Sequence, residues 1–121
     1  MPLFERIIMA FNNTSTIARA KFETAREMNY ADIDSVMTMI GTPFAVSFSV
    51  LYVQNFTNVV IDFSVSFDGA TVTFSLAPNG IIASDMTTNQ IQISAGEAAW
   101  CQYRSGAPSS GFVQVSAITA V

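Results

Sequence analysis

The chain contains no histidine. That removes the side chain that most often serves as a general base near neutral pH and as a metal ligand. Every Ser-His-Asp or Cys-His arrangement for nucleophilic catalysis goes with it. Cys101 is the single cysteine, so neither a thiolate zinc site nor an internal disulfide can be built on it. Its setting, Ala98-Ala99-Trp100-Cys101-Gln102-Tyr103, reads as a strand in which the thiol is a small buried hydrophobe. A lone thiol also fits a chain that folds in a reducing compartment.

Carboxylates remain. Asp32 and Asp34 stand two apart, which on a strand aims both at one face, as a hard-cation site or an acid–base pair requires. Asn29, Tyr30 and Ser35 flank them, and calcium takes about six to eight oxygen ligands, so a solvated polar loop is the favoured reading. Asp68 belongs to a hairpin turn and Asp85 to the turn running to Asn89. The six glycines are scattered at turn-like positions and form no phosphate-binding loop. Asn12-Asn13-Thr14, Asn13-Thr14-Ser15 and Asn55-Phe56-Thr57 match the glycosylation sequon, a pattern frequent by chance and here without a secretory context. Phe44, Phe48, Phe63, Phe67 and Phe74 are spaced as strand-face core residues rather than as a ligand platform. The expectation is a protein that is not an enzyme, with no cofactor, no metal and no small-molecule substrate.

The elements that would position these groups are strands. Ala18, Ala20 and Phe22 alternate with Arg19, Lys21 and Glu23. From Phe44 to Tyr52 every second residue is large (Phe44, Val46, Phe48, Val50, Tyr52), and Val59, Ile61, Phe63, Val65 and Phe67 oppose Asp62, Ser64 and Ser66. Period-two alternation is the mark of strands with one buried face. Asp68-Gly69, followed by Val72, Phe74 and Leu76, predicts a hairpin with a type I′ turn, which needs positive φ at both central residues. Pro78-Asn79-Gly80 predicts another turn. Short strands are expected at 81–84, 91–94, 98–104 and 112–119. Trp100 and Tyr103 fall on opposite faces of one of them. Seven to nine such strands predict an all-β, antiparallel, jelly-roll-like β-sandwich.

One candidate helix covers Pro2 to Phe11, where Leu3, Ile7, Ile8 and Phe11 fall at helical spacing. An extended apolar N-terminal arm fits the segment equally well. The expected organisation is therefore an arm at 1–16, with Asn12-Asn13-Thr14-Ser15-Thr16 as its joint, and a single sandwich domain at 17–121. Leu3, Phe4, Ile7, Ile8 and Phe11 are the candidate contact residues of the arm, which would order on binding.

Half of the 121 residues are apolar and only 12% are charged, against roughly 25% in an average soluble domain. Much of the exterior must therefore be Ser, Thr, Asn and Gln, and cover by neighbouring subunits is expected. Net charge is −4, and the five basic residues (Arg6, Arg19, Lys21, Arg26, Arg104) are too few for a phosphate-binding patch, so no nucleic acid is expected. No window reaches the 18 or so apolar residues of a membrane helix, and no membrane partner is expected. Ile7-Ile8-Met9-Ala10-Phe11 lacks the basic lead-in of a signal peptide. Nine of the fourteen charged residues lie within the first 34 positions, which suggests two zones with different surroundings.

The run Gly41-Thr42-Pro43-Phe44, then Val53-Gln54-Asn55-Phe56-Thr57 and Phe63-Ser64-Val65-Ser66-Phe67-Asp68-Gly69 resembles small β-sandwich structural proteins of tailed bacteriophages. Leu76-Ala77-Pro78-Asn79-Gly80, Asp85 with Thr88-Asn89, and Pro108-Ser109-Ser110-Gly111 continue the likeness, which spans about residues 40–121 and leaves out the first 16. It implies a virion component assembled in the bacterial host cytoplasm. A capsid decoration (cement) protein would associate with itself and with the major capsid protein or other virion proteins. A ring-forming neck, collar or tail component is the alternative within that class, and a carbohydrate-binding β-sandwich module is the alternative outside it. The resemblance brings no catalytic residues.

Overall fold

In a computed structural model, which describes residues 20–48, 50–85 and 93–120, the alternating segments form nine strands. These are β1 (Ala20–Phe22), β2 (Arg26–Asn29), β3 (Thr38–Met39), β4 (Val50–Asn55), β5 (Ile61–Ser66), β6 (Phe74–Leu76), β7 (Ile81–Asp85), β8 (Ala98–Tyr103) and β9 (Phe112–Ala120). One turn of 3-10 helix at Tyr30–Asp32 is the only helical segment among the described residues. The candidate helix at 2–11 and the arm at 1–16, with Leu3, Phe4, Ile7, Ile8 and Phe11, lie outside the described residues.

The strands make an antiparallel sandwich of two sheets. The first has the order β1-β9-β4-β7, with β2 also on β9, and the second has the order β3-β8-β5-β6. β1 and β2 occupy successive stretches of one edge, since Phe22 pairs with Ile118 and Arg26 with Val115. Counted as one interrupted strand, they give chain orders 1-8-3-6 and 2-7-4-5 in the two layers. All connections but the β5–β6 hairpin cross from one layer to the other.

The layers meet through Leu51, Val53, Val113, Val115 and Ala117 from the first sheet and Ile61, Phe63, Ala99 and Cys101 from the second. Ile33, Ile40, Phe44, Phe48 and Ile93 close the ends from connecting segments. Each large apolar side chain taken fully out of water contributes roughly 1.5–3 kcal/mol. That burial is why the strands adopt the faces they do.

Three details depart from the sequence pattern. The large residues from Phe44 to Tyr52 do not share one strand face. Phe44 and Phe48 are buried, Val46 and Tyr52 are exposed, and the inward residues of β4 are Leu51, Val53 and Asn55. The phase changes between Phe48 and Leu51, where the chain passes from the Phe48–Ile93 bridge of the end loop into β4. Phe67 is exposed rather than internal, because β5 ends at Ser66 and the chain leaves the sheet there.

The hairpin at Asp68-Gly69 forms with the expected register but not the expected turn. Phe63 pairs with Phe74 and Ile61 with Leu76, a register that would bring Phe67 opposite Ala70 across a two-residue turn. Only Gly69 has positive φ, at 70°, whereas a type I′ turn needs it at Asp68 too. Side chains take over the backbone partners. Val65 N–H donates to Thr73 Oγ1 (3.0 Å), Gly69 N–H to Ser66 Oγ (2.9 Å), and Ala70 N–H to Asp68 Oδ1 (3.0 Å). Ser, Thr and Asp compete with the ladder in this way, and the loop opens.

Candidate interaction surface

The outward face of the second sheet carries the strongest polar cluster. Asp62 on β5 sits beside Ser75 on β6 and Gln102 on β8, as the strand register requires. Its Oδ1 accepts from Ser75 Oγ (2.6 Å) and Arg104 Nη2 (2.8 Å), and its Oδ2 from Gln102 Nε2 (3.4 Å). The Arg104 side chain is 56% exposed and that of Asp62 only 7%. Burial of Asp62 favours its neutral form, but the Ser75, Arg104 and Gln102 hydrogen bonds and the guanidinium charge outweigh it and hold the carboxyl below its ordinary value. The group is an ionised strut across three strands, with hydrogen bonds to both carboxylate oxygens. Ser64, which sequence alternation places outward, is fully buried nevertheless. Its cross-strand neighbour is Trp100, whose Nε1 donates to Ser66 O (3.1 Å) and whose ring leaves no room for a side chain at Gly69. Tyr103 packs on the core, so the indole takes the outer face of β8 and the phenol the inner one.

At one end of the sandwich, buried polar groups fix the loops. Asn55 occupies an inward position of β4 and has no exposure. Its Nδ2 donates to the carbonyls of Val59 (2.9 Å), Leu76 (3.0 Å) and Ala77 (3.2 Å), and its Oδ1 accepts from Thr57 N (2.9 Å) and Thr57 Oγ1 (2.6 Å). The amide of the sequon Asn55-Phe56-Thr57 is thus spent inside the fold. At the other end, the Arg26 guanidinium lies 4.4 Å from the Phe44 ring centroid and donates to Thr42 O, Pro43 O, Thr24 O and Glu23 Oε1.

The other sequence candidates are dispersed. Asp32 lies in the 3-10 turn and Asp34 follows it, both exposed. Asp34 Oδ1 accepts from Ser35 N (2.6 Å), a local loop contact. Among the described residues no three His, Cys, Asp or Glu side chains converge as a metal site. Cys101 is buried in the core, which pushes its thiol up to about 12 and keeps it protonated. Phe44, Phe48, Phe63 and Phe74 pack within or against the core, with Phe44 on Phe48 edge-on at 4.6 Å and Phe63 stacked on Phe74 at 5.4 Å.

What the surface does offer is apolar. Ile81 is 62% exposed, Phe67 66% and Val36 61%, with Val46, Val72, Tyr52, Phe56 and Tyr30 exposed to lesser degrees. Ile81 and Tyr52 share the outer face of the first sheet, where Gln54 lies between Ile81 and Gln114. This patch was not identified from alternation, which assigned Tyr52 to the core. A signal for it was present in Ile81-Ile82, because adjacent strand residues face opposite ways and one of the pair must point outward. No protein-family model matches the chain, and no curated protein matches it in sequence.

Proposed function

We propose that the chain is a non-enzymatic structural protein of a phage particle, a capsid decoration or cement protein that bridges subunits of the shell. The observation that carries this reading is the strand order. Layers ordered 1-8-3-6 and 2-7-4-5 support a jelly roll, an architecture of viral capsid and lectin domains. The sequence resemblance over residues 40–121 supports the capsid side of that pair, and the exposed Ile81, Phe67 and Val36 support a surface made to be covered. Binding energy would come from apolar area shared among several neighbours, at about 25 cal/mol per Å² before association costs, and repeated weak contacts would act together through effective concentration.

A ring at the neck, collar or tail would use the same surface, and copy number separates the two. Mass-spectrometric quantification of purified particles against the major capsid protein would give copies in the hundreds for a shell component and about a dozen or fewer for a ring. Absence of the chain from the particle would refute both. A carbohydrate-binding role would appear as hits on a glycan array.

A further inference from the structure

The sandwich has four outer edges, and three are unfit for further pairing. β3 has two residues and β6 three. The β1–β2 edge is broken at residues 23–25 and carries Arg26 and Glu27. Such shortness, breaks and charges are how sheet edges are kept from joining other chains. β7 is unbroken and carries a single charge, at its last residue, Asp85. It is five residues long, begins Ile81-Ile82-Ala83-Ser84, and among the described residues pairs only with β4.

Its far side presents backbone groups that no described strand pairs. Asn55 N–H donates to Gly80 O (2.9 Å), and the register pairs Val53 with Ile82 and Leu51 with Ser84. Hydrogen-bonded pairs alternate in an antiparallel ladder, so residues 82 and 84 bond inward to β4. The N–H and C=O groups of Ile81, Ala83 and Asp85 then face outward. Ile81 stands exposed over this edge, and Ile82 is only half-buried beneath it.

The geometry points to β-augmentation at β7, with the added strand supplied by Ile7-Ile8-Met9-Ala10-Phe11 of a second copy of the chain. The segment matches β7 in length, has no charge, and would lay alternate side chains on Ile81 and on Ile82. Nineteen residues precede β1, which lies on the opposite edge of the same sheet, three strand spacings or about 14 Å away. The intervening Asn12-Asn13-Thr14-Ser15-Thr16 is polar and suits a crossing through solvent between two copies. It suits poorly a path over the chain's own Tyr52 and Ile81. A five-residue edge alone is far smaller than the roughly 800 Å² per partner of a standard interface, so β7 paired with β7 would hold two copies weakly. A donated segment adds its side chains to the contact. The inference stands apart from the virion reading, because it requires only the purified chain.

The test uses the full-length chain, with sedimentation velocity for association and amide hydrogen exchange for pairing. Self-association with slowed exchange at both 7–11 and 81–85 is expected. Ala83→Pro removes an outward N–H and leaves the β4 ladder intact, and Ile81→Lys places a charge on an exposed edge position. Each should weaken association at least about tenfold and release residues 7–11, while Trp100 fluorescence stays native. Ile8→Asp should do the same from the other side. Three results would overturn the inference: a monomer with fast exchange at 7–11, association indifferent to all three substitutions, or a monomer whose 7–11 amides are protected by its own β7.

Discussion

Replacing Asn55 by alanine should cost more stability than any other polar truncation in the protein. The side chain is wholly enclosed and engages four backbone groups: the carbonyls of Val59, Leu76 and Ala77 and the N–H of Thr57. Alanine offers none of these contacts. A buried group stripped of its partner costs about 1–3 kcal/mol. Carbonyls keep a second lone pair, so the low end applies, and the two shortest carbonyl contacts plus the Thr57 N–H give a loss of about 3–4 kcal/mol. A domain of this size holds roughly 5–15 kcal/mol in total. Urea unfolding followed by Trp100 fluorescence, with a slope near 2 kcal/mol per M, should show a midpoint about 2 M lower. A shift below about 0.5 M would refute the reasoning and imply that the loops are held by something else. Asn55→Asp supplies an internal check. It keeps the acceptor for Thr57 but sets a carboxylate against three carbonyl oxygens, which favours the protonated form in the folded state. The variant's folded-state pKa is therefore raised, and its stability relative to the parent should rise as pH falls from 7 towards the unfolded carboxyl value, about 3.9.

Other outcomes follow from the same contacts. Gly111 has φ of 89°, and a Cβ there would overlap the carbonyl oxygen of Phe56, so Gly111→Ala should lower stability by at least about 2 kcal/mol in thermal unfolding. A neutral effect would mean the loop moves freely. Asp62 has a lowered pKa in the fold, so its stabilisation is present above the unfolded carboxyl value and lost as pH falls through the folded one. Urea midpoints of the parent and Asp62→Asn should therefore converge as pH falls below the unfolded carboxyl value, about 3.9, and parallel curves would exclude the strut. Arg104→Ala, at a largely exposed position, should cost about 1 kcal/mol or less in the same assay. The Cys101 thiol should resist a thiol reagent at pH 8 and react only as fast as the chain unfolds, because burial holds it protonated; rapid labelling of the native chain would contradict this.

Much of this architecture was legible in the sequence because burial writes itself into alternation. Ile61, Phe63, Val113 and Val115 are inward-facing strand residues, and Phe63 to Phe74 has the register that Asp68-Gly69 implies. The turn itself was not legible, since Ser66, Asp68 and Thr73 bond to the backbone only once the strands have splayed. The role of Asn55 was not legible for a related reason. It lies in phase with Leu51 and Val53, on the face opposite the large residues of the 44–52 alternation. Only the fold brings Leu76 and Ala77 to its amide. The change of phase between Phe48 and Leu51 has no local marker, because it is set by the bridge to Ile93, far along the chain. For the surface, Ile81-Ile82 announced an exposed isoleucine. That it lies on an edge strand depends on strand order.

The middle of each layer is filled late in the chain. β9 joins β1, β2 and β4, and β8 joins β3 and β5, so on a growing polypeptide the first 97 residues can close only the β4–β7 and β5–β6 pairs. β1, β2 and β3 wait for every partner they have, and β4 and β5 for one partner each. The ribosome would release a chain whose layers close almost together at the end of synthesis, with long-range pairings that fold slowly and an interval in which bare strand edges are open to other chains. Chaperones that shield such edges should therefore raise the soluble yield.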